Sequence, residues 1–231
     1  MSWKETYEEW LNQPKMAPAL KAELKAMKDD QEIEDAFYGP LSFGTAGMRG
    51  LMGPGINRMN IYTVRQATEG LAVLMDSLGD DIKKRGVSIS YDSRHHSREF
   101  AHDCARVLGA HGIQTYIYDN VRPTPELSFA VRYNHSYAGI MITASHNPKE
   151  YNGYKIYGED GGQMPPKESD MMTGYIRQIK DIFDIQLADE QDMLNSGLEV
   201  VMGEDVDHAY LEHAKAVTIN KDLAKKFGQD M

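Results

Sequence analysis

The sequence predicts an α/β protein: a layered α/β/α domain with a mixed, mostly parallel sheet, preceded by short N-terminal helices. Two observations carry this prediction. From Leu41 onward, short apolar runs alternate with amphipathic segments long enough to be helices, which is the pattern of βαβ units. Before Leu41, the apolar residues follow helical spacing.

The N-terminal part is predicted to be a helical extension over residues 1–38. Its apolar side chains recur at intervals of three or four residues, which places them on one face of a helix. They fall into three groups: Trp3, Tyr7, Trp10 and Leu11; Leu20, Leu24 and Met27; Ile33 and Phe37.

The elements of the main domain, assigned to residues 39–203, follow from the same patterns. Helices are predicted at 64–78, at 100–108, after Pro125 and at 166–183; strands are predicted at 87–91, 114–118 and 137–143, with a short strand or hairpin at 152–157. A last helix is predicted at 206–217, within a segment 204–231 that we expect to lead towards a further domain.

Polar segments follow three of the predicted strands, at 92–97, 121–125 and 144–148. Ligands in parallel sheets bind outside the carboxyl ends of the strands. We therefore expect these three loops to converge and to carry the chemistry.

Composition and charge limit the partners. The 231 residues include 35 acidic and 25 basic ones, so the net charge is −10, which disfavours a nucleic-acid partner. The charge is uneven: residues 39–180 hold 16 basic and 14 acidic side chains, whereas 181–207 hold nine acidic and no basic ones. The acidic stretch predicts a solvated surface or a boundary strip.

The sequence also predicts a cytoplasmic location without a membrane partner. No apolar run approaches the ~18 residues of a membrane span, and the first residues lack the features of a signal peptide. The single cysteine, Cys104, cannot form an internal disulfide, and its apolar helical neighbours predict a core residue.

The segment 144–148, Ala-Ser-His-Asn-Pro, is the most informative one. It places the hydroxyl of Ser145 on an exposed turn after a buried strand, with His146 and Asn147 beside it. An ordinary turn is the alternative from residue types alone. A serine hydrolase is disfavoured, because no Gly-x-Ser-x-Gly elbow is present.

Other candidate residues surround this turn in the predicted topology. The glycine-rich segment 41–50 around Arg49 could clamp a phosphate or form a tight turn. Lys155 could return to the serine loop or be a solvated lysine. Asp92 and Arg94 could form an ion pair that positions the strand-end loop. The adjacent His95 and His96 are a poor start for a metal site and are predicted to be exposed.

Taken together, these segments resemble a known family. The sequences at 143–148 and 152–155, preceded by Phe-Gly-Thr-Ala-Gly-Met-Arg-Gly at 43–50, resemble the α-D-phosphohexomutases, and most closely the phosphoglucomutase/phosphomannomutase branch. Tyr-Asp-Ser-Arg at 91–94 and Arg-Pro-Thr-Pro at 122–125 are also similar to the first domain of that branch. The resemblance covers residues 41–157.

The resemblance implies roles for individual residues. Ser145 matches the active-site serine, which the family carries as a phosphoserine. His146, Lys155 and Arg49 match the other catalytic positions, and Thr45, Asn147 and Arg94 those expected to bind substrate or phosphate. The implied reaction interconverts hexose 1-phosphate and hexose 6-phosphate through a hexose 1,6-bisphosphate, which also serves as activator.

The resemblance further implies Mg²⁺, held in part by the phosphate on Ser145. The family's Asp-Gly-Asp-Gly-Asp metal loop is absent from this sequence. We therefore expect the chain to be a first domain whose C-terminal partner domains belong to the same polypeptide, and to have no mutase turnover by itself. The alternative is a non-catalytic module that binds or senses sugar phosphates.

Overall fold

The strands of the protein form one mixed sheet. The computed structural model describes residues 2–44 and 47–227. Its helices are α1 (Trp3–Asn12), α2 (Pro18–Ala26), α3 (Asp30–Phe37), α4 (Ile61–Leu78), α5 (Asp80–Arg85), α6 (Ser97–Ala110), α7 (Thr124–Tyr133), α8 (Pro166–Ile176), α9 (Glu190–Ser196), α10 (Glu204–Ala216) and α11 (Lys221–Phe227). Its strands are β1 (Met48–Leu51), β2 (Val87–Tyr91), β3 (Thr115–Tyr118), β4 (Ala138–Ile142), β5 (Tyr151–Gly158) and β6 (Glu199–Met202).

The strand order is β1-β5-β4-β2-β3-β6. The pairs β4–β2, β2–β3 and β3–β6 are parallel, whereas β1–β5 and β5–β4 are antiparallel. The parallel strands are connected through helices and the antiparallel β4–β5 pair through a short loop, as expected for these two kinds of pairing. The predicted fold class, α/β with a mixed, mostly parallel sheet, is confirmed.

Helices cover both faces of the sheet. α6 packs against β2, β3 and β4 with α4 behind it, and α7 packs against β2, β4 and β5. Strand β4 shows why both faces are apolar: Ile140 and Ile142 join the core beneath α4 and α6, while Met141 packs with Leu127 and Val131 of α7. Successive side chains of a strand point to opposite faces, so a strand covered on both sides is apolar throughout.

The N-terminal helices form a separate apolar cluster against the start of α4. Trp10 and Phe37 meet edge to face, with ring centroids 5.6 Å apart. Tyr62, in the first turn of α4, accepts a hydrogen bond from the backbone N–H of Ala17 at 2.7 Å and donates one to the carbonyl of Lys15 at 3.1 Å. The predicted helices of residues 1–38 are present and packed on the domain.

The predicted helix 166–183 is shorter in the structure, since α8 ends at Ile176. The apolar residues beyond it serve another contact. Ile182 and Phe183 pack into the cluster of the N-terminal helices, where the ring of Phe183 lies 5.2 Å from that of Trp10. Their spacing therefore reflects a tertiary contact, which a helical pattern cannot distinguish from a helix face.

Of the two alternatives predicted for 181–207, a solvated surface or a boundary strip, the solvated surface is wrong for part of the segment. Residues 199–202 form β6, which pairs in parallel with β3. Glu199 and Met202 are both 4% exposed, and Met193 of α9 is 2% exposed. The two β-branched residues Val200 and Val201 are the only sequence pattern that favours a strand here, and the acidic residues around them favour an exposed segment.

Two further predictions concern burial. Cys104 is fully buried, and burial raises the pKa of its thiol to about 12, which confirms a core residue. Among the described residues, no helix has the length and apolar character that crossing a bilayer requires.

One surface cluster predicts a pH-dependent stability. The ring of His111 lies between Glu69, at 3.1 Å from Nε2, and Asp76, at 2.6 Å from Nδ1. The hydrogen bond to Glu69, followed by that to Asp76, raises the pKa of His111 above its ordinary value. A raised folded-state pKa means that the stabilisation is fully present below pH ~6.5 and is lost as the pH rises through the folded value.

We expect His111→Gln to lower the free energy of unfolding by on the order of 1 kcal/mol at pH ~5.5. The difference from the unsubstituted protein is expected to shrink towards pH ~8.5, as the pH rises through the raised pKa of folded His111 and its imidazole loses the charge. Urea unfolding at the two pH values measures it. An equal difference at both values would contradict a charged His111.

Candidate active site at the carboxyl ends of β2 and β4

The predicted serine loop, residues 144–148, follows β4, and the loop 92–97 follows the neighbouring parallel strand β2. The two loops are in direct contact. Arg94 donates hydrogen bonds from its guanidinium to the backbone carbonyls of Ser145, at 2.8 Å, and Asn147, at 2.6 Å. The expected convergence therefore holds for these two loops.

The third predicted loop, 121–125, lies beside β2, but its Arg122 side chain contacts α10. The backbone N–H of Arg122 donates a hydrogen bond to the carbonyl of Tyr91, the last residue of β2, at 3.1 Å. The Arg122 side chain contacts Asp207 of α10 with two nitrogens, at 2.7 and 2.6 Å. This arginine holds α10 against the domain instead of facing the serine loop.

Ser145 has an unusual backbone conformation. Its φ of 54° lies in the left-handed region, which costs a non-glycine residue roughly 1–3 kcal/mol unless the surroundings enforce it. Its N–H donates to the side-chain oxygen of Thr143 at 2.9 Å. The Ser145 side chain is exposed at the tip of the loop.

Lys155 reaches the serine hydroxyl from the adjacent strand. It lies on β5, opposite Met141 of β4, and its Nζ donates to the Oγ of Ser145 at 2.7 Å. Of the two alternatives for this residue, the structure thus shows the return to the serine loop. Burial, and then the positive charge of Arg49, lower the pKa of Lys155.

Arg49 lies on β1, the edge strand beside β5, and its side chain is exposed. A close approach at Gly47 permits this arrangement. Gly47 has φ 101°, and a Cβ there would lie 1.9 Å from the carbonyl oxygen of Tyr154. A larger residue would push the start of β1 away from β5, and with it the guanidinium of Arg49. Thr45, the other candidate of this segment, lies outside the described residues.

The remaining candidates differ in their surroundings. His146 is exposed. Asn147 is half-buried, and its Oδ1 is buried without a hydrogen-bond partner in the structure. His95 and His96 are exposed, as predicted. The predicted ion pair between Asp92 and Arg94 is present, with 3.5 Å between Oδ2 and Nε.

A cavity of about 360 Å³ opens beside Ser145. It is lined by Asp92, Ser93, Arg94, His95, Ser145, Asn147 and Lys149. A larger cavity of about 540 Å³ lies between α2, the start of α4 and α6, and shares His95 with the first. We assign the candidate site to the smaller cavity, because Ser145, with its strained backbone, lines it and Lys155 donates a hydrogen bond to the Ser145 hydroxyl.

The described residues do not form a metal site by themselves. Among residues 2–44 and 47–227, no group of three or more His, Cys, Asp and Glu side chains is placed to hold a metal ion. If Ser145 is phosphorylated, the oxygens of that phosphate are the ligands that this chain is expected to supply to Mg²⁺.

Sequence reasoning did not identify Thr143 and Asn152 as parts of the site. Thr143 Oγ1 bonds both Asp92 and the N–H of Ser145. Asn152 is fully buried, and its Nδ2 donates to the carbonyl of His95 and to Ser97 Oγ, both at 3.0 Å. Both belong to segments that carried the resemblance, but their contacts with Asp92, His95 and Ser97 span more than 50 residues, which no local pattern displays.

Comparisons with known proteins show the family of this chain. Residues 40–182 match the family model described as phosphoglucomutase/phosphomannomutase, alpha/beta/alpha domain I. A phosphoglucomutase from Staphylococcus saprophyticus is 43% identical over 188 residues, which is 81% of this chain and 34% of the relative. A phosphoglucomutase from Staphylococcus epidermidis is 47% identical over 149 residues, or 64% of this chain and 27% of the relative.

A solved structure has a similar fold. The crystal structure of a protein from Thermus thermophilus described as a phosphomannomutase superposes with a TM-score of 0.63 at 26% identity, covering 77% of this chain and 36% of that one. The chain spans about a third of the length of the first of these curated relatives.

Proposed function

Because this chain belongs to the phosphoglucomutase/phosphomannomutase family, we propose that it is the serine-bearing first domain of a phosphohexomutase, acting as a phosphoglucomutase. The observation that carries the proposal is the 2.7 Å contact between Lys155 Nζ and the hydroxyl of Ser145, in a loop held in a strained conformation. The proposed domain I spans residues 39–203, and residues 204–231 lead to the next domain.

The proposed reaction moves a phosphoryl group between Ser145 and a hexose phosphate. A sugar hydroxyl attacks the phosphorus of phosphorylated Ser145; the new P–O bond to the sugar forms as the bond to the serine oxygen breaks. Lys155 returns a proton to that oxygen, so that Ser145 regains its hydroxyl. The proton of the attacking hydroxyl passes to a base, for which His146 is the candidate.

The product is a hexose 1,6-bisphosphate that returns its other phosphate to Ser145 by the reverse step. Arg49 supplies positive charge beside Lys155, which suits the developing charge on the transferred group. Thr45 and Asn147 are the proposed contacts to substrate or phosphate, whereas Arg94, the third candidate from the resemblance, donates to the backbone carbonyls of Ser145 and Asn147. Glucose 1-phosphate and glucose 6-phosphate are the proposed substrates, and the bisphosphate is the activator that loads the serine.

Mg²⁺ is part of the proposed function. The described residues lack a ligand set, and only the phosphoserine oxygens of this chain would reach the ion. Its other ligands would come from a further domain. For this reason we propose that the chain alone has no measurable mutase turnover. A cytoplasmic location, compatible with a single buried cysteine, is proposed as well.

Phosphorylation of Ser145 tests the proposal. The longer polypeptide that contains this domain is incubated with glucose 1,6-bisphosphate and Mg²⁺, and intact mass and peptide mapping follow. We expect one phosphoryl group, located on Ser145, together with interconversion of the glucose phosphates. Calorimetric binding of the bisphosphate without phosphorylation or turnover would favour the alternative, a sugar-phosphate-binding module. A phosphoryl group on another residue would reject the assignment of Ser145.

A further inference from the structure

The carboxylate of Asp92 connects the two loops of the candidate site. Its Oδ1 accepts hydrogen bonds from the backbone N–H of Arg94, at 3.0 Å, and from Ser97 Oγ, at 2.8 Å. Its Oδ2 accepts one from Thr143 Oγ1 at 2.6 Å. Thus Asp92, at the end of β2, reaches across to the end of β4, just before the serine loop.

The direction of these hydrogen bonds is fixed by the chemistry of Thr143. A threonine hydroxyl has a single proton, and an ionised carboxylate can only accept. The proton of Thr143 therefore points at Asp92, which leaves the oxygen lone pairs free to accept. One of them accepts the N–H of Ser145 at 2.9 Å, so the charge on Asp92 orients the acceptor that holds Ser145.

Arg94 holds the opposite side of the serine backbone. Its Nη1 donates to the carbonyls of Pro148, at 2.8 Å, and Tyr151, at 3.0 Å, and its Nη2 donates to those of Ser145 and Asn147. Each of these nitrogens has two protons and two acceptors, so neither has a proton left for a phosphate oxygen. The remaining Nε lies beside Asp92.

We propose that Asp92 is a positioning residue, which acts through Thr143 and Arg94 to hold Ser145 in its left-handed conformation and so aims the hydroxyl at Lys155. Arg94 then serves the loop backbone instead of binding phosphate as the sequence resemblance implies. The inference rests on the proposed function in one respect, the importance of Ser145, while the backbone restraint itself is independent of any reaction.

The test compares Thr143→Val, which keeps the shape but loses the hydroxyl, with Thr143→Ser, which keeps the hydroxyl. The first readout is amide hydrogen exchange of Ser145 in the 231-residue chain without substrate. We expect Thr143→Val to accelerate exchange at Ser145 at least about tenfold while the amides of β4 stay protected, and Thr143→Ser to restore slow exchange. Thr173→Val, which removes a hydroxyl bonded within α8, is the matched control and should leave Ser145 unchanged.

The second readout is turnover of the longer polypeptide. A nucleophile that is misplaced by about 1 Å loses about 10²-fold in rate, so Thr143→Val and Asp92→Asn should each lower kcat by about that factor with KM little changed. Since Thr143 is one of the two residues through which Asp92 acts, the loss from Thr143→Val is already contained in that from Asp92→Asn, and the double variant should lose no more than the larger single loss.

Three outcomes would overturn the inference: unchanged exchange at Ser145 in Thr143→Val, acceleration throughout the domain, or multiplied losses of kcat in the double variant. If the polypeptide lacks mutase turnover, the exchange experiment still decides the positioning role. A failure of the proposed function is therefore distinguishable from a failure of this inference.

Discussion

Ser145→Ala is expected to abolish phosphoryl incorporation from glucose 1,6-bisphosphate and to lower turnover of the longer polypeptide by on the order of 10⁴-fold or more. The hydroxyl is the only atom of this side chain that can carry the phosphoryl group, and its contact with Lys155 Nζ is lost with it. Intact mass and a coupled assay for glucose 6-phosphate measure the two effects.

Ser196→Ala provides the matched control. Ser196 is an exposed serine at the end of α9, which packs beside β6 at the other edge of the sheet. This variant should take up one phosphoryl group like the unsubstituted protein. Incorporation that survives in Ser145→Ala would remove Ser145 from its proposed role.

Lys155→Met is expected to lower turnover by about 10²–10⁴-fold, which is the usual contribution of a positioned proton donor. Methionine keeps the length and much of the apolar stem of lysine, so the packing on β5 should be retained. The variant should still bind glucose phosphates, because the loss concerns proton delivery to the serine oxygen. A kcat close to that of the unsubstituted enzyme would contradict the proton-transfer role.

The pH dependence of turnover tests whether the ammonium group of Lys155 acts as the acid and whether Arg49 sets its pKa. Burial and Arg49 both lower the pKa of Lys155, so its ammonium loses the proton at a lower pH than an exposed lysine would. If Lys155 acts as the acid, turnover falls as the pH rises through that pKa. Arg49→Gln removes one cause of the shift, so the fall should move to higher pH, whereas Arg49→Lys keeps the charge and should leave the fall near its original pH. A fall at the same pH in all three proteins would show that it reports another group.

The fold class and the position of the candidate site at the strand ends could be predicted from the sequence because both follow from local patterns. Alternating strands and helices indicate a parallel, layered sheet, and the polar segments after β2 and β4 must then lie at one edge. Ser145 and its neighbours were found in this way, and the resemblance to the family rested on the same residues.

Other features depend on contacts between distant segments. The predicted helix at 166–183 is too long, because Phe183 was counted as part of a helix face. Its ring packs against Trp10 instead. β6 was overlooked, because a four-residue edge strand in an acidic stretch has little pattern of its own. Asp92 and Thr143 are in contact because β2 and β4 are neighbouring strands of the sheet, and this pairing cannot be read from either segment alone.

The sequence by itself determined the order of the elements, the apolar strands covered on both faces and the loop that carries Ser145, since each depends on residues close along the chain. Only the tertiary structure decided that Lys155 meets the serine hydroxyl, that Arg94 bonds four backbone carbonyls and that Asp92 orients Thr143. Hydrogen bonds of this kind require atoms placed within a few tenths of an ångström. That placement comes from the register of β4 with β2 and β5, which the whole core fixes.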